Sequence, residues 1–211
     1  MPRTSRRADV RATAARIFRE YGYSSATMDL IADTVGLNKG TLYHYYPSKS
    51  AILYELLSDQ VDETIALVEK VPADARPHER LRELVRLQVE HVAGISDELA
   101  VFFHEIPWIE KNLDADQVKD LRQRIETYRG ITEGLLTEGS EAGELRELDA
   151  AMIQYSIIGV LAYVPEWFRP RTARATARVV DELSEFVMGG VLRPGLATQE
   201  TLAGDERAAG D

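Results

Sequence analysis

Residues 27–49 read TMDLIADTVGLNKGTLYHYYPSK and contain the clearest structural signal in the chain. Thr27 is a typical helix N-cap, and Gly36 ends the short amphipathic segment that follows it. Asn38 opens a second short helical segment, which Pro47 ends. Two short helices joined by a glycine-containing turn are typical of a helix-turn-helix, whose second helix can lie in the major groove of DNA.

The second of these helices has two chemically different faces. Leu42 and Tyr46 share one face and are predicted to pack in the core. The opposite face carries hydrogen-bonding, cationic and aromatic side chains, namely Lys39, Thr41, Tyr43, His44 and Tyr45. Gly40 has no side chain and lets the backbone approach a duplex closely. Because such groups contact phosphate oxygens and thymine methyl groups, this face is predicted to contact DNA.

Charge is distributed unevenly along the chain. The formal net charge is -10, which as an average argues against a nucleic-acid partner. Residues 1–50 carry eight Lys and Arg against four Asp and Glu, a balance of +4, so the other residues together carry -14. This asymmetry predicts a small basic module that faces a polyanion and an acidic body that does not.

The remaining sequence has helical periodicity nearly throughout and shows no strand alternation. We therefore predict an all-α protein of about nine helices, with a three-helix helix-turn-helix domain at residues 1–50 and a larger helical ligand-binding and dimerisation domain at residues 51–192. A short sixth helix is predicted to end before Pro107, and residues 139–147 are predicted to form a loop. Residues 193–211 are predicted to be a disordered tail.

Residues 27–49, with the helices before and after them, closely resemble the DNA-binding signature of the TetR family of transcriptional regulators. The resemblance implies a regulator that binds double-stranded operator DNA, and it favours a ligand-released repressor. The predicted DNA-contacting residues are then Thr27, Lys39, Gly40, Thr41, Tyr43, His44, Tyr45 and Lys49. Of these, Thr27 and Lys49 are expected to bind phosphates at the two edges of the module. Tyr46 stands where the family usually has phenylalanine, and it is assigned to the core.

A homodimer is expected, because one module with a few phosphate contacts binds DNA weakly, whereas two copies can read a palindrome. Predicted helix eight, at residues 149–168, is apolar around most of its circumference, and predicted helix nine, at residues 172–191, has an apolar stripe. In the TetR family the last two helices form a four-helix bundle across the two-fold axis. The dimer interface is therefore predicted at helices eight and nine.

The resemblance also implies that the acidic body encloses a pocket for a small apolar or amphipathic effector. The candidate ligand-binding residues are Phe102, Phe103, His104, Trp108, Tyr128, Tyr155, Tyr163, Trp167 and Arg169. Residues 163–170, YVPEWFRP, resemble the end of helix eight in the branch of the family that responds to acyl-CoA thioesters, although Arg171 and Thr172 stand where that branch has a glycine. An acyl-CoA ligand is implied, with Arg169 as a phosphate partner. A cationic or multidrug-type ligand, attracted by the negative body and by Glu105, is the alternative.

A helical enzyme and a helical interaction protein without DNA binding are the rival classes. The sequence has no cysteine, and its four histidines lack metal-ligand spacing, so no metal site, catalytic residue or cofactor is predicted. Neither a signal peptide nor a membrane-spanning apolar run is recognisable, so a cytoplasmic location without a membrane partner is expected.

Overall fold

The computed structural model describes residues 3–94, 96–170 and 172–195, with side chains from residue 6 onward. These residues form nine helices of seven or more residues and no strand, which confirms the predicted fold class. The helices are α1 (Arg3–Tyr21), α2 (Met28–Val35), α3 (Lys39–Tyr45), α4 (Lys49–Val68), α5 (Pro77–Ala93), α6 (Asp97–Glu105), α7 (Ala115–Glu141), α8 (Ala150–Trp167) and α9 (Ala173–Val191). A 3-10 turn, Ile106–Trp108, and a single helical turn, Ile109–Asn112, connect α6 to α7.

The chain divides into two compact units. The first comprises the described residues within Met1–Ile65 and Ile95–Glu126, and the second those within Ala66–Gly94 and Thr127–Asp211. Helices α4 and α7 each contribute residues to both units. The domain boundary expected after residue 50 stays a prediction, and most of the predicted tail, from residue 196 on, lies outside the described residues.

Local hydrogen bonds fix the ends of α2 and α3. The Oγ1 of Thr27 accepts a hydrogen bond from the backbone N–H of Leu30 at 3.1 Å, as an N-cap does. Gly36 closes α2 with a φ of 71°, a conformation that glycine adopts without steric strain. The side chain of Asn38 accepts from the backbone N–H of Thr41 at 2.8 Å and caps α3. These caps confirm the helix-turn-helix that the sequence predicts.

Apolar side chains at helical spacing fill the core of the first unit. The buried residues of its first four helices include Val10, Ala14, Ile17, Phe18, Ile31, Ala32, Leu42, Ile52, Leu53, Leu56 and Leu57. Each fully buried Leu or Ile side chain contributes about 1.5–3 kcal/mol by leaving water. Leu42 holds α3 against this core, which leaves the other face of α3 exposed.

In the second unit α5 packs against both α8 and α9. Leu67, Leu84 and Leu135 form a buried apolar cluster there. The backbone N–H of the fully buried His78 donates to Oε2 of Glu144 at 3.2 Å, and Nδ1 of His78 lies 2.8 Å from the same oxygen. This carboxylate therefore fastens the segment between α7 and α8 to the start of α5.

The predicted end of helix six is confirmed, because α6 ends at Glu105, before Pro107. The loop predicted at residues 139–147 is wrong at its start, because α7 continues to Glu141. Gly139 is helical, and a Cβ atom at that position would lie 2.5 Å from a methyl carbon of Leu145. The glycine therefore makes room for the side chain of Leu145 and does not end the helix.

Candidate DNA-binding surface and ligand cavity

The face of α3 that is predicted to contact DNA is exposed. Leu42 and Tyr46 are fully buried on the opposite side. Lys39, Gly40, Tyr43 and His44 are exposed, and Thr41 and Tyr45 are half-buried. The surface therefore presents an ammonium, a phenol hydroxyl and an imidazole to the solvent, as the sequence predicts.

Lys39 forms an ion pair within this surface. Its Nζ lies 2.7 Å from Oδ1 of Asp29 in the first turn of α2. The hydrogen bond to Asp29 raises the pKa of Lys39, so the side chain stays protonated. Because both side chains are largely exposed, the pair is weak and can be exchanged for a contact with a phosphate or a base.

Thr27 lies at the N-terminus of α2, where the partial positive charge of the helix favours an anion. Its Oγ1 already accepts a hydrogen bond from the backbone N–H of Leu30. The hydroxyl can still donate its own proton. The helix cap and a phosphate contact are therefore compatible at this residue.

Lys49 is oriented toward the protein interior. Its Nζ donates to the carbonyl oxygens of Tyr23 at 2.6 Å and Ala26 at 2.7 Å, lies 3.4 Å from that of Ser24, and lies 4.3 Å from the centre of the Tyr23 ring. Burial lowers the pKa of Lys49, and the negative charge of Glu105 opposes that effect. In this conformation Lys49 ties the connection between α1 and α2 to the start of α4.

A polar cluster connects α3 to α1 and α4. The Tyr46 hydroxyl donates to Oε1 of Glu55 at 2.8 Å. Arg7 donates to the Tyr45 carbonyl at 2.9 Å, covers the Tyr46 ring at 4.3 Å and pairs with Glu55, and Arg11 lies 3.7 Å from the same carboxylate. Burial disfavours the charge of Glu55, but the hydrogen bonds from Arg7 and Tyr46 outweigh it and lower its pKa.

The sequence predicts a buried Tyr46 but not the partner of its hydroxyl. The signal was available, because a buried tyrosine usually needs a hydrogen-bond partner where phenylalanine needs none. The cluster also accounts for part of the positive charge near the N-terminus. Arg7 and Arg11 pair with carboxylates of α4, so part of the positive charge counted in the sequence is already balanced within the protein.

The second unit contains a small cavity between α5, α7 and α8. Its volume is about 20 Å³, which is room for about one water molecule. The lining residues are Leu81, Leu84, Val85, Gln88, Tyr128, Thr132, Leu136, Gln154, Ile157 and Ile158. All of them are apolar or neutral. Burial raises the pKa of Tyr128, so its hydroxyl stays protonated and can act as a donor.

Of the nine predicted ligand-binding residues, the structure places only Tyr128 on this cavity. Four others belong to α6 or the turn after it, in the first unit, and they are Phe102, Phe103, His104 and Trp108. His104 is exposed and its Nδ1 lies 2.9 Å from Oε1 of the buried Glu105. Trp108 is exposed as well.

The remaining aromatic candidates face outward on α8. Tyr155, Tyr163 and Trp167 are more than half exposed. Arg169 donates through Nη1 to the carbonyl oxygens of Pro165 and Phe168, and it thereby closes the end of α8. Large apolar side chains with this degree of exposure are typical of a surface that a partner covers.

Sequence analysis missed three neutral polar residues of the cavity, Gln88, Thr132 and Gln154. Each is buried within an otherwise apolar face of its helix. A glutamine among apolar helical neighbours was the available signal, but spacing alone does not show which helices bring such residues together.

Two further types of site are absent from the described part of the chain. None of its helices is long and apolar enough to cross a membrane. Nor do any three of its His, Cys, Asp or Glu side chains cluster as metal ligands would.

Two family models match the sequence. The model of bacterial regulatory proteins of the tetR family matches residues 10–56, and the model of the tetracyclin repressor-like C-terminal domain matches residues 74–191, more than half of the chain. The chain belongs to the TetR family. This TetR-family protein is a DNA-binding transcriptional regulator and not an enzyme.

Relatives of this TetR protein match it over most of its length. The HTH-type transcriptional repressor KstR2 of Mycobacterium tuberculosis is 27% identical over 91% of this chain and 96% of the relative. The solved structure of that ketosteroid transcriptional regulator has a TM-score of 0.79 at 26% identity, over 89% of this chain and 95% of the other. The fatty acid metabolism regulator protein of Bacillus subtilis is 27% identical over 70% of this chain and 75% of the relative.

A further solved structure, AibR in complex with isovaleryl coenzyme A and operator DNA, has the same fold. Its TM-score is 0.75 at 24% identity, and the match covers 86% of this chain and 97% of that one. The similarity therefore extends over both the helix-turn-helix and the C-terminal helices.

Proposed function

We propose that this protein is a ligand-released repressor that binds a palindromic operator as a homodimer. The observation that carries the proposal is the exposed polar face of α3, which the capped helix-turn-helix presents to the solvent. A helix held in this way can enter a major groove, and two copies related by a two-fold axis match two half-sites of a palindrome.

The proposed DNA contacts are Thr27, Lys39, Gly40, Thr41, Tyr43, His44, Tyr45 and Lys49. Exposed hydroxyl, ammonium and imidazole groups on α3 fit base edges and phosphates. On binding, the Lys39 ammonium would leave the carboxylate of Asp29 and contact the DNA. A phosphate contact by Lys49 requires its ammonium to leave the carbonyl oxygens of Tyr23 and Ala26, so Lys49 needs a test of its own.

The proposed dimer interface is formed by α8 and α9. Outward-facing side chains that are each more than half exposed support it, and they are Met152, Tyr155, Tyr163, Trp167 and Phe186. Aromatic residues and methionine are enriched at the centres of protein interfaces. Pairing of these two helices with their symmetry copies would remove all five side chains from water.

The proposed ligand is an acyl-CoA thioester whose acyl end enters the cavity of the second unit. The lining of that cavity is apolar or neutral, which suits an uncharged thioester and acyl chain. A cationic ligand finds no carboxylate on this described lining, and Glu105 of the first unit is already bound by Asn112 and His104. The relative named as a fatty acid metabolism regulator and the complex of AibR with isovaleryl coenzyme A support the same ligand class.

Ligand binding would act on DNA affinity through a change of conformation. The cavity holds about one water molecule, so it must open to admit an acyl chain. We propose that the opened state moves α4 and with it the two recognition helices, whose separation then no longer matches the operator half-sites.

The test uses the purified full-length protein and a fluorescent duplex from the region upstream of its own gene. Fluorescence anisotropy at moderate salt should show binding that Thr41→Ala and Tyr43→Ala abolish or strongly weaken. Decanoyl-CoA should release the duplex, whereas coenzyme A alone and the cation tetraphenylphosphonium should not. Binding that is indifferent to both substitutions contradicts the recognition surface, and release by the cation but not by the thioester contradicts the ligand class.

A further inference from the structure

The cavity of the second unit contains a buried hydrogen-bond acceptor that has no partner in the described part of the chain. Gln154 lies on α8 and is 3% exposed. Its side chain lines the cavity, and among the described residues its Oε1 has no hydrogen-bond partner. A buried amide oxygen without a partner is costly, and such groups are uncommon in native structures.

The structure orients the Gln154 amide through a hydrogen bond with Thr132. The Thr132 hydroxyl has one proton, which it can donate within its own helix, to the carbonyl oxygen of Arg129 at 3.0 Å or to that of Tyr128 at 3.3 Å. With the proton used in this way, the Thr132 oxygen accepts from the Nε2 of Gln154. The Oε1 is thus the atom left for a ligand.

The lining also limits the charge of a ligand. None of the described lining residues is charged, so a buried cation would find no counter-ion there. A buried carboxylate would lose its hydration and would place a second acceptor beside the Oε1 of Gln154. An uncharged group with an O–H or N–H donor satisfies the amide oxygen and brings no charge into the cavity.

We propose that this cavity recognises an uncharged apolar ligand group that carries a hydrogen-bond donor, and that the Oε1 of Gln154 accepts from this donor. Gln154 is then a specificity-determining residue of the ligand site. This inference rests on the proposed ligand site and narrows it to neutral donors, which excludes a free carboxylate. In a thioester the donor is either a hydroxyl group on the acyl chain or an amide N–H of the pantetheine arm.

The direct test measures the affinity of the full-length protein for three probes by isothermal titration calorimetry. Decanol has a donor, decyl methyl ether lacks it, and decanoate carries a negative charge. The wild-type protein should prefer decanol to the ether by about tenfold and should bind decanoate most weakly. Gln154→Leu should remove the preference for decanol, and Gln117→Leu is the matched control because Gln117 belongs to the first unit and does not line the cavity.

Equal binding of decanol and the ether by the wild-type protein, or tighter binding of decanoate, overturns the proposal. A preference for decanol that survives in Gln154→Leu also overturns it. The affinities of the wild-type protein for the three probes test the proposal without any variant. The proposal therefore stays testable even if Gln154→Leu folds poorly.

Measuring operator release by thioesters tests the proposed function independently of this inference. The same measurement identifies which group of the thioester is the donor. If decanol is preferred but no thioester releases the operator, the thioester proposal fails and the role of Gln154 stands. If Gln154→Leu weakens operator release only by thioesters with an acyl hydroxyl group, such as β-hydroxydecanoyl-CoA and ω-hydroxydecanoyl-CoA, the donor is the acyl hydroxyl group. If Gln154→Leu weakens operator release by decanoyl-CoA to the same extent, the donor is an amide N–H of the pantetheine arm. Both results support the inference.

Discussion

At the scale of single residues, Lys39 and Lys49 carry the same charge in the sequence but have different surroundings in the structure. Lys39 is exposed and its ion pair with Asp29 can be exchanged. The ammonium of Lys49 is bound by carbonyl oxygens of the connection between α1 and α2. These carbonyl oxygens are neutral, so Lys49 keeps its charge, but its ammonium must leave them to contact a phosphate.

The salt dependence of operator binding should show whether each of the two lysines reaches the DNA. Lys39→Ala should weaken binding and flatten the slope of log K against log salt by about one unit, because one phosphate contact is lost. Lys49→Ala should also flatten the slope by about one unit, because the proposed phosphate contact of Lys49 is lost. An unchanged slope in Lys49→Ala would mean that its ammonium stays on the carbonyl oxygens of Tyr23 and Ala26 and does not reach a phosphate in the complex.

The Tyr46 hydroxyl should contribute measurably to stability. Tyr46→Phe removes the donor to Glu55 from a fully buried position, so the free energy of unfolding should fall by about 1 kcal/mol. Urea denaturation followed by circular dichroism measures the change. Tyr43→Phe is the matched control, since Tyr43 is exposed and its variant should unfold like the wild-type protein. Equal stability of both variants would show that the hydrogen bond to Glu55 adds nothing.

At the scale of elements, the glycines of α7 have different surroundings. Nothing lies within 4 Å of a Cβ atom built at Gly130 or Gly134. At Gly139 the side chain of Leu145 occupies that space, and Leu145 is itself buried. Only Gly139 is therefore required by packing, whereas the other two lower the helix propensity of α7 without a steric reason.

Alanine substitutions along α7 should have opposite effects. Gly139→Ala forces the buried Leu145 to move and should lower the free energy of unfolding by about 1–3 kcal/mol. Gly130→Ala meets open space and should raise it by about 0.5–1 kcal/mol, because alanine loses less conformational entropy in a helix. Thermal melts of the two variants provide the comparison, and a stabilised Gly139→Ala variant would contradict the close packing of Leu145.

At the scale of the whole molecule, the outward faces of α8 and α9 are not covered by any other part of the chain that the structure describes. Tyr163 and Phe186 are 65% and 69% exposed, values that are unusual for large apolar side chains in a protein that acts alone. The proposed binding to a palindromic operator also needs a partner copy. Pairing of two copies through the proposed interface would satisfy both the hydrophobic effect and the symmetry of such an operator.

Tyr163→Arg should convert the dimer to a monomer, because a buried unpaired charge is placed at the proposed interface. Sedimentation equilibrium measures the mass, and operator affinity should fall in parallel. Trp108→Arg is the control, since Trp108 is similarly exposed but lies outside α8 and α9. Dissociation caused by Trp108→Arg and not by Tyr163→Arg would place the interface elsewhere.

The limits of sequence analysis are clearest at the ligand site. Aromatic residues on α8 have the composition of a pocket lining, yet Tyr155, Tyr163 and Trp167 face outward. Helical periodicity separates an apolar face from a polar one, but it does not distinguish a face that lines a cavity from one that a partner covers. Both Tyr128 and Gln154 line the cavity, but only Tyr128 is among the predicted ligand-binding residues.

Short-range signals were sufficient for the helix-turn-helix, because Thr27, Gly36 and Asn38 act on backbone groups within a few residues of themselves. The long-range contacts came only from the folded chain. Packing of separate helices brings the hydroxyl of Tyr46 to Glu55 on α4 and the amide of Gln154 on α8 to Thr132 on α7, and no local pattern encodes such pairs. A helix cap needs only neighbouring atoms, whereas a buried polar partner depends on which helices pack together.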